Sequence, residues 1–495
     1  MMYFLLAIVS AKLFQVHLPY NYRIPTVNQT KNALTSCLGS DNVVLPIDND
    51  YQRFASGERA RVARKPAAIY FAQSEFDVIK AVNCSRQLGL TPIPRSGGHS
   101  YENLSSGDNA LVIDLSNINY VRVFNVGKDE GLAFVGAGTR LGILYTEIYN
   151  QGGYNFNGGT CPSVGIAGLI GGGGYGTTAR SKGLAADRTV GMRAILSNGT
   201  AVSISSTENP DLFWALRGGS SGSFAIVTRF AIKLFKTPVI TMFTLKYDKI
   251  HSFGLLKNWI SYFPTADPEL TTKFNLMNNG SILQGQYNGP MRKLNAILKE
   301  SGMVPESGII MDVRTDKCDS LGAKSFMWTL SCKKVDILKV PPQLPLHEKE
   351  YGKYKMDYVS KYLSDDEISI IVEGINQSPS GSWIQIEALG GIFSKISNTD
   401  TPYNHRDSLF SMQYRVPLEK DEAPTSYKYE WIYHFERSIQ GIVNGQHYQN
   451  YCDLDLGKDY GEKYFGKENF ERLKRIKRSY DPLNVFRNPQ SIPLQ

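Results

Sequence analysis

The chain has 495 residues, 42% of them hydrophobic and 20% charged, which is enough for two or three domains with cores of their own. Its 54 basic and 46 acidic residues give a net charge of +8, which is modest for this length and disfavours a nucleic-acid partner. A basic cluster with helical spacing near the C-terminus predicts a solvated helix face, formed by Arg472, Lys474, Arg475, Lys477 and Arg478.

The N-terminus carries an apolar run, Met1 to Ala11, that is too short to span a bilayer and ends in small residues. It predicts a signal peptide over residues 1–20 and a secreted, extracellular protein, and no later stretch is long enough for a membrane span. Six acceptor sequons support an extracellular glycoprotein, with a few of them expected to be silent: Asn28, Asn83, Asn103, Asn198, Asn279 and Asn376.

Six cysteines are too few for a disulfide scaffold, and none of them forms a cluster of zinc-ligand spacing with histidine. The sequence therefore predicts no metal site. Cys318 and Cys332 are compatible with a bridge across a hairpin or with two buried thiols, because spacing alone does not decide connectivity.

Strand and helix signals alternate through the first half of the chain. Residues 67–94 predict a strand, a helix that begins at the cap Ser74 and closes at Gly89, and a second strand. Further strands are predicted at 110–115, 133–138, 191–203, 382–394 and 408–416. This mixture predicts an α+β fold rather than a doubly wound parallel sheet.

Two glycine-rich runs carry the strongest functional signal. The first is Pro94-Arg95-Ser96-Gly97-Gly98-His99-Ser100-Tyr101, and the second contains Gly158-Gly159-Thr160-Cys161-Pro162-Ser163-Val164-Gly165. Eleven glycines lie between Gly152 and Gly176. Glycine lets backbone N–H groups approach a diphosphate closely, although tight turns packed on a sheet are the alternative reading.

The two runs, together with the downstream run Asp211 to Gly219, resemble the berberine-bridge-enzyme-like branch of the FAD-linked oxidases, which includes oligosaccharide oxidases. The resemblance implies FAD bound covalently through His99 and Cys161, and a Cys37–Cys84 disulfide. It also implies the PCMH-type FAD-binding fold of the vanillyl-alcohol-oxidase kind, made of N- and C-terminal segments, with an inserted substrate domain whose antiparallel sheet is covered by helices. The implied bounds are 21–237 for the FAD-binding domain, 238–440 for the substrate-binding domain, and 441–495 for the C-terminal segment that returns to the FAD domain.

The resemblance assigns cofactor binding to residues of both glycine runs, one strand and the C-terminal segment. These residues are Arg95, Ser96, Gly97, Gly98, His99, Ser100, Cys161, Val164, Gly165, Gly168, Gly172, Gly173, Gly176, Ile226, Val227 and Asn450. Val164 matches a gate position at which valine tends to leave room for oxygen, which implies an oxidase that produces hydrogen peroxide.

A flavin that accepts hydride from an alcohol needs a base for the hydroxyl proton. The run Tyr448-Gln449-Asn450-Tyr451-Cys452-Asp453 is similar to the family's Tyr-x-Asn-Tyr-x-Asp signature and makes Tyr451 the candidate base. A phenol titrates near about 10, so the phenolate would need stabilisation. Tyr101, Tyr175 and Gln413 match residues of the same pocket in relatives, while each tyrosine is alternatively an aromatic core residue.

Two positions depart from the family pattern. Sugar-oxidising relatives often carry an aspartate where this chain has Arg415, and plant alcohol-oxidising relatives often carry a lysine where it has Ser411. Arg415 is itself a candidate for stabilising a phenolate, because strand alternation places it on the face of Gln413 unless a bulge intervenes.

Three functions are compatible with these residues. The first is a secreted oxidase that takes hydride from an alcohol or hemiacetal carbon of a carbohydrate-like small molecule or oligosaccharide and passes electrons to O2. The second oxidises aromatic alcohols, alkaloids or other secondary metabolites, with ring closure or desaturation. The third is a catalytically idle secreted glycoprotein. It is disfavoured because a binding scaffold has no need of both attachment residues, and His99, Cys161, Tyr101 and Tyr451 are all present.

Overall fold

The computed structural model describes residues 27–39, 41–59, 61–220, 222–237, 239–304, 310–341 and 350–495. The signal peptide predicted over residues 1–20 lies outside these ranges. Within them, every helix is too short or too polar to cross a membrane.

Residues up to 237 form two sheets with helices around them. The helices and strands are α1 (Val27–Leu38), β1 (Val43–Val44), α2 (Tyr51–Ala55), β2 (Ala68–Phe71), α3 (Glu75–Gln87), β3 (Thr91–Arg95), β4 (Ala110–Asp114), β5 (Val121–Asn125), β6 (Glu130–Gly136), α4 (Leu141–Asn150), α5 (Ile166–Gly171), α6 (Ala179–Lys182), β7 (Thr189–Leu196), β8 (Ala201–Ser205), α7 (Pro210–Leu216) and β9 (Ala225–Phe235).

The first sheet has the order β1-β2-β4-β3, with β2, β4 and β3 parallel, and the second has the antiparallel order β5-β6-β9-β7-β8. Ser74 caps α3 by accepting a hydrogen bond from the Asp77 backbone N–H. Cys84 in α3 forms a disulfide with Cys37 in α1, as the family resemblance predicted. The chain leaves β3 directly into the first glycine run, so the sheet fixes the position of His99.

The rest of the chain adds one large sheet and the C-terminal helices. The elements are β10 (Ile240–Tyr247), α8 (Ser252–Tyr262), β11 (Leu270–Met277), β12 (Gly280–Tyr287), α9 (Met291–Glu300), β13 (Ile310–Cys318), α10 (Ser320–Thr329), β14 (Gly352–Val359), α11 (Asp365–Asn376), β15 (Trp383–Ala388), β16 (Phe410–Pro417), α12 (Tyr427–Ser438), α13 (Tyr460–Phe465) and α14 (Lys467–Tyr480).

The seven strands of this sheet are all antiparallel, in the order β13-β10-β12-β11-β15-β16-β14. Helices α8, α9, α11 and α12 pack against it through a core that includes Trp259, Phe274, Met412 and Tyr414. Because side chains alternate along a strand, Gln413 and Arg415 point to the opposite face of β16 from this helix-covered core. That opposite face supplies one wall of the functional site.

The strand predicted at 382–394 is shorter than expected. It ends at Ala388, because Gly390 and Gly391 adopt φ values of +92° and +65°, which take the backbone out of the extended conformation.

The C-terminal segment packs into the same core as the first two sheets, through residues such as Tyr464, Leu473 and Phe486. The prediction of a solvated basic face on α14 is wrong for Lys477. Its ammonium group is buried, pairs with Asp481 at 2.7 Å and donates to the Ser223 carbonyl oxygen at 2.6 Å.

Two further expectations are now decided by the structure. Cys318 and Cys332 form a disulfide, and helix α10 lies between them, so the bridge does not cross a hairpin. The Asn103 sequon is unsuited to glycosylation, because its side chain is buried, accepts a hydrogen bond from the Gly57 N–H and donates one to the Val62 carbonyl oxygen.

Candidate functional site

A cavity of ≈ 440 Å³ lies between the two glycine runs, the C-terminal segment and the seven-stranded sheet. It contains most of the residues that the sequence singled out. Those that line it are Ser96, Gly97, Gly98, His99, Ser100, Tyr101, Cys161, Val164, Gly165, Gly168, Tyr175, Val227, Gln413, Asn450 and Tyr451.

Five residues predicted to bind cofactor do not line this cavity: Arg95, Gly172, Gly173, Gly176 and Ile226. The Arg95 guanidinium is fully buried and pairs with Asp114 at 2.6 Å, and Ile226 lies in the core of β9. The three glycines instead allow close packing. A Cβ atom on Gly172 would lie 2.2 Å from Asn450 Oδ1, one on Gly173 2.9 Å from the Tyr403 ring, and one on Gly176 2.0 Å from the Gly158 carbonyl oxygen.

The two glycine runs are in direct backbone contact. A Cβ atom on Gly97 would lie 2.2 Å from the Gly165 backbone nitrogen, and a Cβ atom on Gly165 would lie 2.2 Å from that of Gly97. Only residues without side chains permit this approach. The contact brings His99 and Cys161 to the same cavity.

Ser163 links the two candidate attachment residues. Its hydroxyl oxygen lies 2.8 Å from His99 Nε2 and 3.2 Å from Cys161 Sγ. Glu58 Oε2 also lies 2.9 Å from His99 Nε2. Burial lowers the pKa of His99 despite this carboxylate, so the imidazole is neutral at pH 7. No sequence motif marks Glu58, and only the fold brings its side chain to His99.

The candidate base lies in a 3-10 turn, Gln449–Tyr451, that is fixed to the second glycine run. Asn450 Nδ2 donates to the Leu169 carbonyl oxygen at 3.0 Å, and the Gly174 N–H donates to Tyr448 Oη at 2.9 Å. These bonds hold Tyr451 in the cavity wall.

Three tyrosine rings form a row along the cavity. Tyr101 stacks on Tyr451 at a centroid distance of 5.4 Å and on Tyr354 at 4.3 Å. Gln413 Nε2 donates to Tyr101 Oη at 2.9 Å. The Arg59 guanidinium lies 5.4 Å from the Tyr101 ring and 5.1 Å from the Tyr354 ring.

The structure does not place Arg415 beside the candidate base. β16 pairs with both neighbours without a bulge, so Arg415 shares the face of Gln413. Its guanidinium, however, lies 3.0 Å from Tyr354 Oη and 2.9 Å from Glu350. Burial, with a smaller effect of Glu387, raises the pKa of Tyr451 well above its ordinary value. In the protein alone, Tyr451 is therefore a protonated phenol.

Tyr175 lines the cavity with its hydroxyl engaged elsewhere. Tyr175 Oη donates to the Ala388 carbonyl oxygen at the end of β15, at a distance of 2.8 Å. This bond ties the second glycine run to the seven-stranded sheet.

The cavity wall also includes residues that no sequence motif marked. They are Lys273, Trp328, Glu350, Tyr354, Trp383 and Gln385. The Trp328 side chain is exposed, and its indole N–H donates to the Thr160 carbonyl oxygen at 2.7 Å. Tertiary structure alone brings these residues to the site, since they come from α10, the segment before β14 and three strands of the large sheet.

The cavity fits the FAD that the resemblance implies. Glycine backbone forms much of one wall, which suits the close approach of a diphosphate. The Ser105 hydroxyl oxygen, at the cavity wall, is buried and has no hydrogen-bond partner among the described residues, so it is available to a ligand. His99 and Cys161 both present a nucleophilic side chain to the same space.

Comparisons with known proteins show which family this chain resembles. Residues 66–205 match the FAD binding domain family, and residues 447–493 match the family described as berberine and berberine like. The chain is 31% identical over 493 residues to the glucooligosaccharide oxidase of Sarocladium strictum, covering 94% of this chain and 95% of that relative. It is 28% identical to the FAD-linked oxidoreductase pytB of Aspergillus terreus, covering 90% of this chain and 60% of that relative.

A solved structure of glucooligosaccharide oxidase from Acremonium strictum superposes with a TM-score of 0.84 at 27% identity. That structure concerns the functional roles of the enzyme's 6-S-cysteinyl, 8α-N1-histidyl FAD. The match covers 94% of this chain and 100% of that chain. With the near full-length identity to the Sarocladium enzyme, this agreement in fold leads to one conclusion: the chain belongs to the berberine-bridge-enzyme-like family of FAD-linked oxidoreductases.

Proposed function

We propose that this protein is a secreted oxidase with FAD bonded to His99 and Cys161. It removes hydride from an alcohol or hemiacetal carbon of a carbohydrate-like substrate and passes the electrons to O2, which becomes hydrogen peroxide. When bound, FAD supplies the hydride acceptor of this reaction. The observation that carries the proposal is that Tyr451, Tyr101 and Gln413 share one cavity with His99 and Cys161.

Tyr451 is the proposed acceptor of the substrate's hydroxyl proton. Because burial raises its pKa, Tyr451 must first release its own proton to solvent, and the resulting phenolate then accepts the proton of the substrate's hydroxyl group. This sequence requires stabilisation of the phenolate in the complex. Tyr101 is the nearest alternative acceptor. Burial also raises the pKa of Tyr101, but Arg59 and the hydrogen bond from Gln413 oppose that effect.

These additional residues of the cavity wall suit a carbohydrate. Trp328, Trp383 and Tyr354 offer flat aromatic faces for the C–H surfaces of sugar rings. Lys273 and Gln385 offer hydrogen-bond donors beside them for hydroxyl groups, and Lys273 Nζ lies 3.3 Å from Glu387 Oε1. A glucooligosaccharide oxidase among the relatives supports the same substrate class.

Val164 lies in the cavity wall, where the family resemblance places the gate for oxygen. Its small β-branched side chain is the basis for proposing O2 as electron acceptor. We expect Val164→Leu to slow reoxidation by O2 while leaving anaerobic reduction by substrate unchanged. The N-terminal apolar run and the sequons support secretion.

Anaerobic bleaching of the flavin absorbance tests the substrate class. The holoenzyme is mixed with mono- and oligosaccharides in one panel and with aromatic alcohols and alkaloids in another, with dithionite as the control for a reducible flavin. Bleaching by a sugar supports the proposal. Bleaching by the second panel alone would overturn the carbohydrate assignment and favour secondary metabolites.

A further inference from the structure

Glu58 is held against the first glycine run by its backbone. The Glu58 N–H donates to the Gly98 carbonyl oxygen at 3.0 Å, and a Cβ atom on Gly57 would lie 2.2 Å from that same oxygen. The Glu58 side chain is only 17% exposed. Its carboxylate therefore has a fixed position beside His99.

The Glu58 carboxylate has charged and polar partners on both oxygens. Oε2 lies 2.9 Å from His99 Nε2 and accepts from the Ser163 hydroxyl at 3.4 Å, and Oε1 lies 3.2 Å from Arg140 Nη1. Burial alone would raise the pKa of Glu58, but His99 and Arg140 outweigh burial and keep it below its ordinary value. Glu58 is therefore ionised at neutral pH.

An ionised carboxylate only accepts hydrogen bonds. His99 Nε2 must therefore carry the hydrogen in its contact with Glu58, and in the neutral imidazole the lone pair is then on Nδ1. The carboxylate thus selects the one ring nitrogen that is ready to form a covalent bond.

We propose that Glu58 is the positioning residue that directs His99 to bond to the flavin through Nδ1, an inference that rests on the proposed attachment at His99. The bond replaces one C–H bond of the flavin's ring methyl group by a C–N bond. One proton from the methyl group and the imidazole proton would be released, and dioxygen would take up both protons and two electrons to become hydrogen peroxide. Glu58 stabilises the positive charge that the imidazole acquires while Nδ1 forms its bond.

The Glu58→Gln variant tests the role of the carboxylate charge, because glutamine has nearly the same shape as glutamate. In Glu58→Gln the amide oxygen can still accept from Arg140, while the amide N–H₂ donates to His99 Nε2 and favours the tautomer with hydrogen on Nδ1. Apoprotein is mixed with FAD in air, and mass spectrometry follows flavin on the two peptides that contain His99 and Cys161. We expect the His99 bond to form about 100-fold more slowly in this variant.

The Cys161 peptide is the internal control for folding, because a variant that still acquires the cysteinyl bond has an intact cavity. Glu75→Gln is the matched control, because it removes a partly buried carboxylate that pairs with Arg193 at 3.0 Å outside the cavity, and it should leave the rate at His99 unchanged. Glu58→Asp keeps the charge and should recover much of the rate. If the Cys161 bond is also lost in Glu58→Gln, the same measurement on Glu58→Asp decides, since a charge effect is rescued and a folding defect is not.

Two results would overturn the inference, and they have different consequences for the proposed attachment at His99. Equal rates at His99 in the natural protein and in Glu58→Gln would remove the role of Glu58 and leave the proposed attachment intact. Absence of flavin from His99 in the natural protein would overturn the attachment and the role of Glu58 together.

Discussion

Tyr101 stacks on Tyr451 with the ring centroids 5.4 Å apart and the ring planes inclined by 16°. Tyr354 continues the row, and its hydroxyl oxygen lies 3.0 Å from Arg59 Nη1 and 3.0 Å from Arg415 Nε. Both guanidinium groups also pair with the Glu350 carboxylate, so this charged cluster lies at the Tyr354 end of the row. Because the three rings are stacked, removing one tyrosine hydroxyl at a time can identify the residue that acts as the base.

Tyr451→Phe should remove the proton acceptor and keep the stacked ring. We expect the rate of anaerobic flavin reduction by a bleaching substrate to fall about 100- to 10,000-fold, with the flavin still bound. Stopped-flow absorbance measures this rate. Tyr175→Phe is the matched control, because its hydroxyl donates to the Ala388 carbonyl oxygen, and its rate should stay near that of the natural enzyme. A nearly unchanged rate in Tyr451→Phe, with a large loss in Tyr101→Phe, would transfer the role to Tyr101.

The contact between the glycine runs predicts a stability effect. Gly97→Ala would place a Cβ atom 2.2 Å from the Gly165 backbone nitrogen, so the two runs must separate. We expect the free energy of unfolding to fall by about 1–3 kcal/mol, as for other overpacked sites, and FAD uptake to weaken. Denaturant unfolding and FAD titration measure the two effects. Gly254→Ala in helix α8, where the new Cβ atom meets open space, should be neutral or slightly stabilising. Equal stability of the two variants would contradict the close contact.

Local sequence signals were sufficient where a structure depends on neighbours in the chain. Ser74 caps α3 as its position indicates, and β4 lies where its β-rich run predicts. Lys477 shows where local signals are insufficient. Its helical spacing resembles that of its solvated neighbours, but its ammonium group is buried and donates to the Ser223 carbonyl oxygen, which is distant in the sequence.

The same limit applies to the candidate site. His99, Cys161 and Tyr451 stand in recognisable runs, and the sequence alone identified them. Glu58 and Tyr354 stand in no motif. Their contacts with His99 and Tyr101 depend on how distant parts of the chain pack, which periodicity and spacing do not encode.

A buried ionic cluster fixes the loop that follows Tyr451. Asp453 pairs with Lys353 and, at 2.8 Å, with Lys355, and all three side chains are almost fully buried. Asp453→Asn removes this charge, while Glu102, Asp455 and Glu436 still pair with the two lysines. It should therefore lower the free energy of unfolding by about 1–3 kcal/mol at pH 7. Denaturant unfolding measures this loss. The exposed pair of Asp336 and Lys339 provides the comparison, since solvent screens this pair and Asp336→Asn should cost much less stability than Asp453→Asn.

Acid should remove the contribution of Asp453. Burial would raise its pKa, but Lys353 and Lys355 outweigh burial and hold the pKa at about 2, below the value of about 3.9 in unfolded chains. A lowered pKa stabilises the folded state above the unfolded value, and this stability disappears as the pH falls from about 4 to about 2. The difference in unfolding free energy between the natural protein and Asp453→Asn should shrink over that range. A difference that is constant from pH 5 to pH 2 would contradict the pairing.

Asp357 should have the opposite pH dependence. It is buried in β14 and accepts a hydrogen bond from Tyr414 Oη at 2.9 Å, and burial raises its pKa to about 7. Between about pH 4 and pH 7 the folded protein holds a proton that the unfolded chain has released, so this group lowers stability as the pH rises.

His447, whose Nε2 lies 3.8 Å from Asp357, partly cancels this loss of stability with rising pH in the natural protein. Burial lowers the pKa of His447 to about 4, so that between pH 4 and about 6.5 only the unfolded chain binds its proton, and stability rises with pH. Asp357→Asn removes the first slope and keeps an acceptor for Tyr414. The stability of this variant relative to the natural protein should therefore increase from pH 4 to pH 7, by up to about 1.4 kcal/mol per pH unit, in denaturant unfolding series. A relative stability that does not change with pH would show that Asp357 titrates at its ordinary pKa in the folded protein.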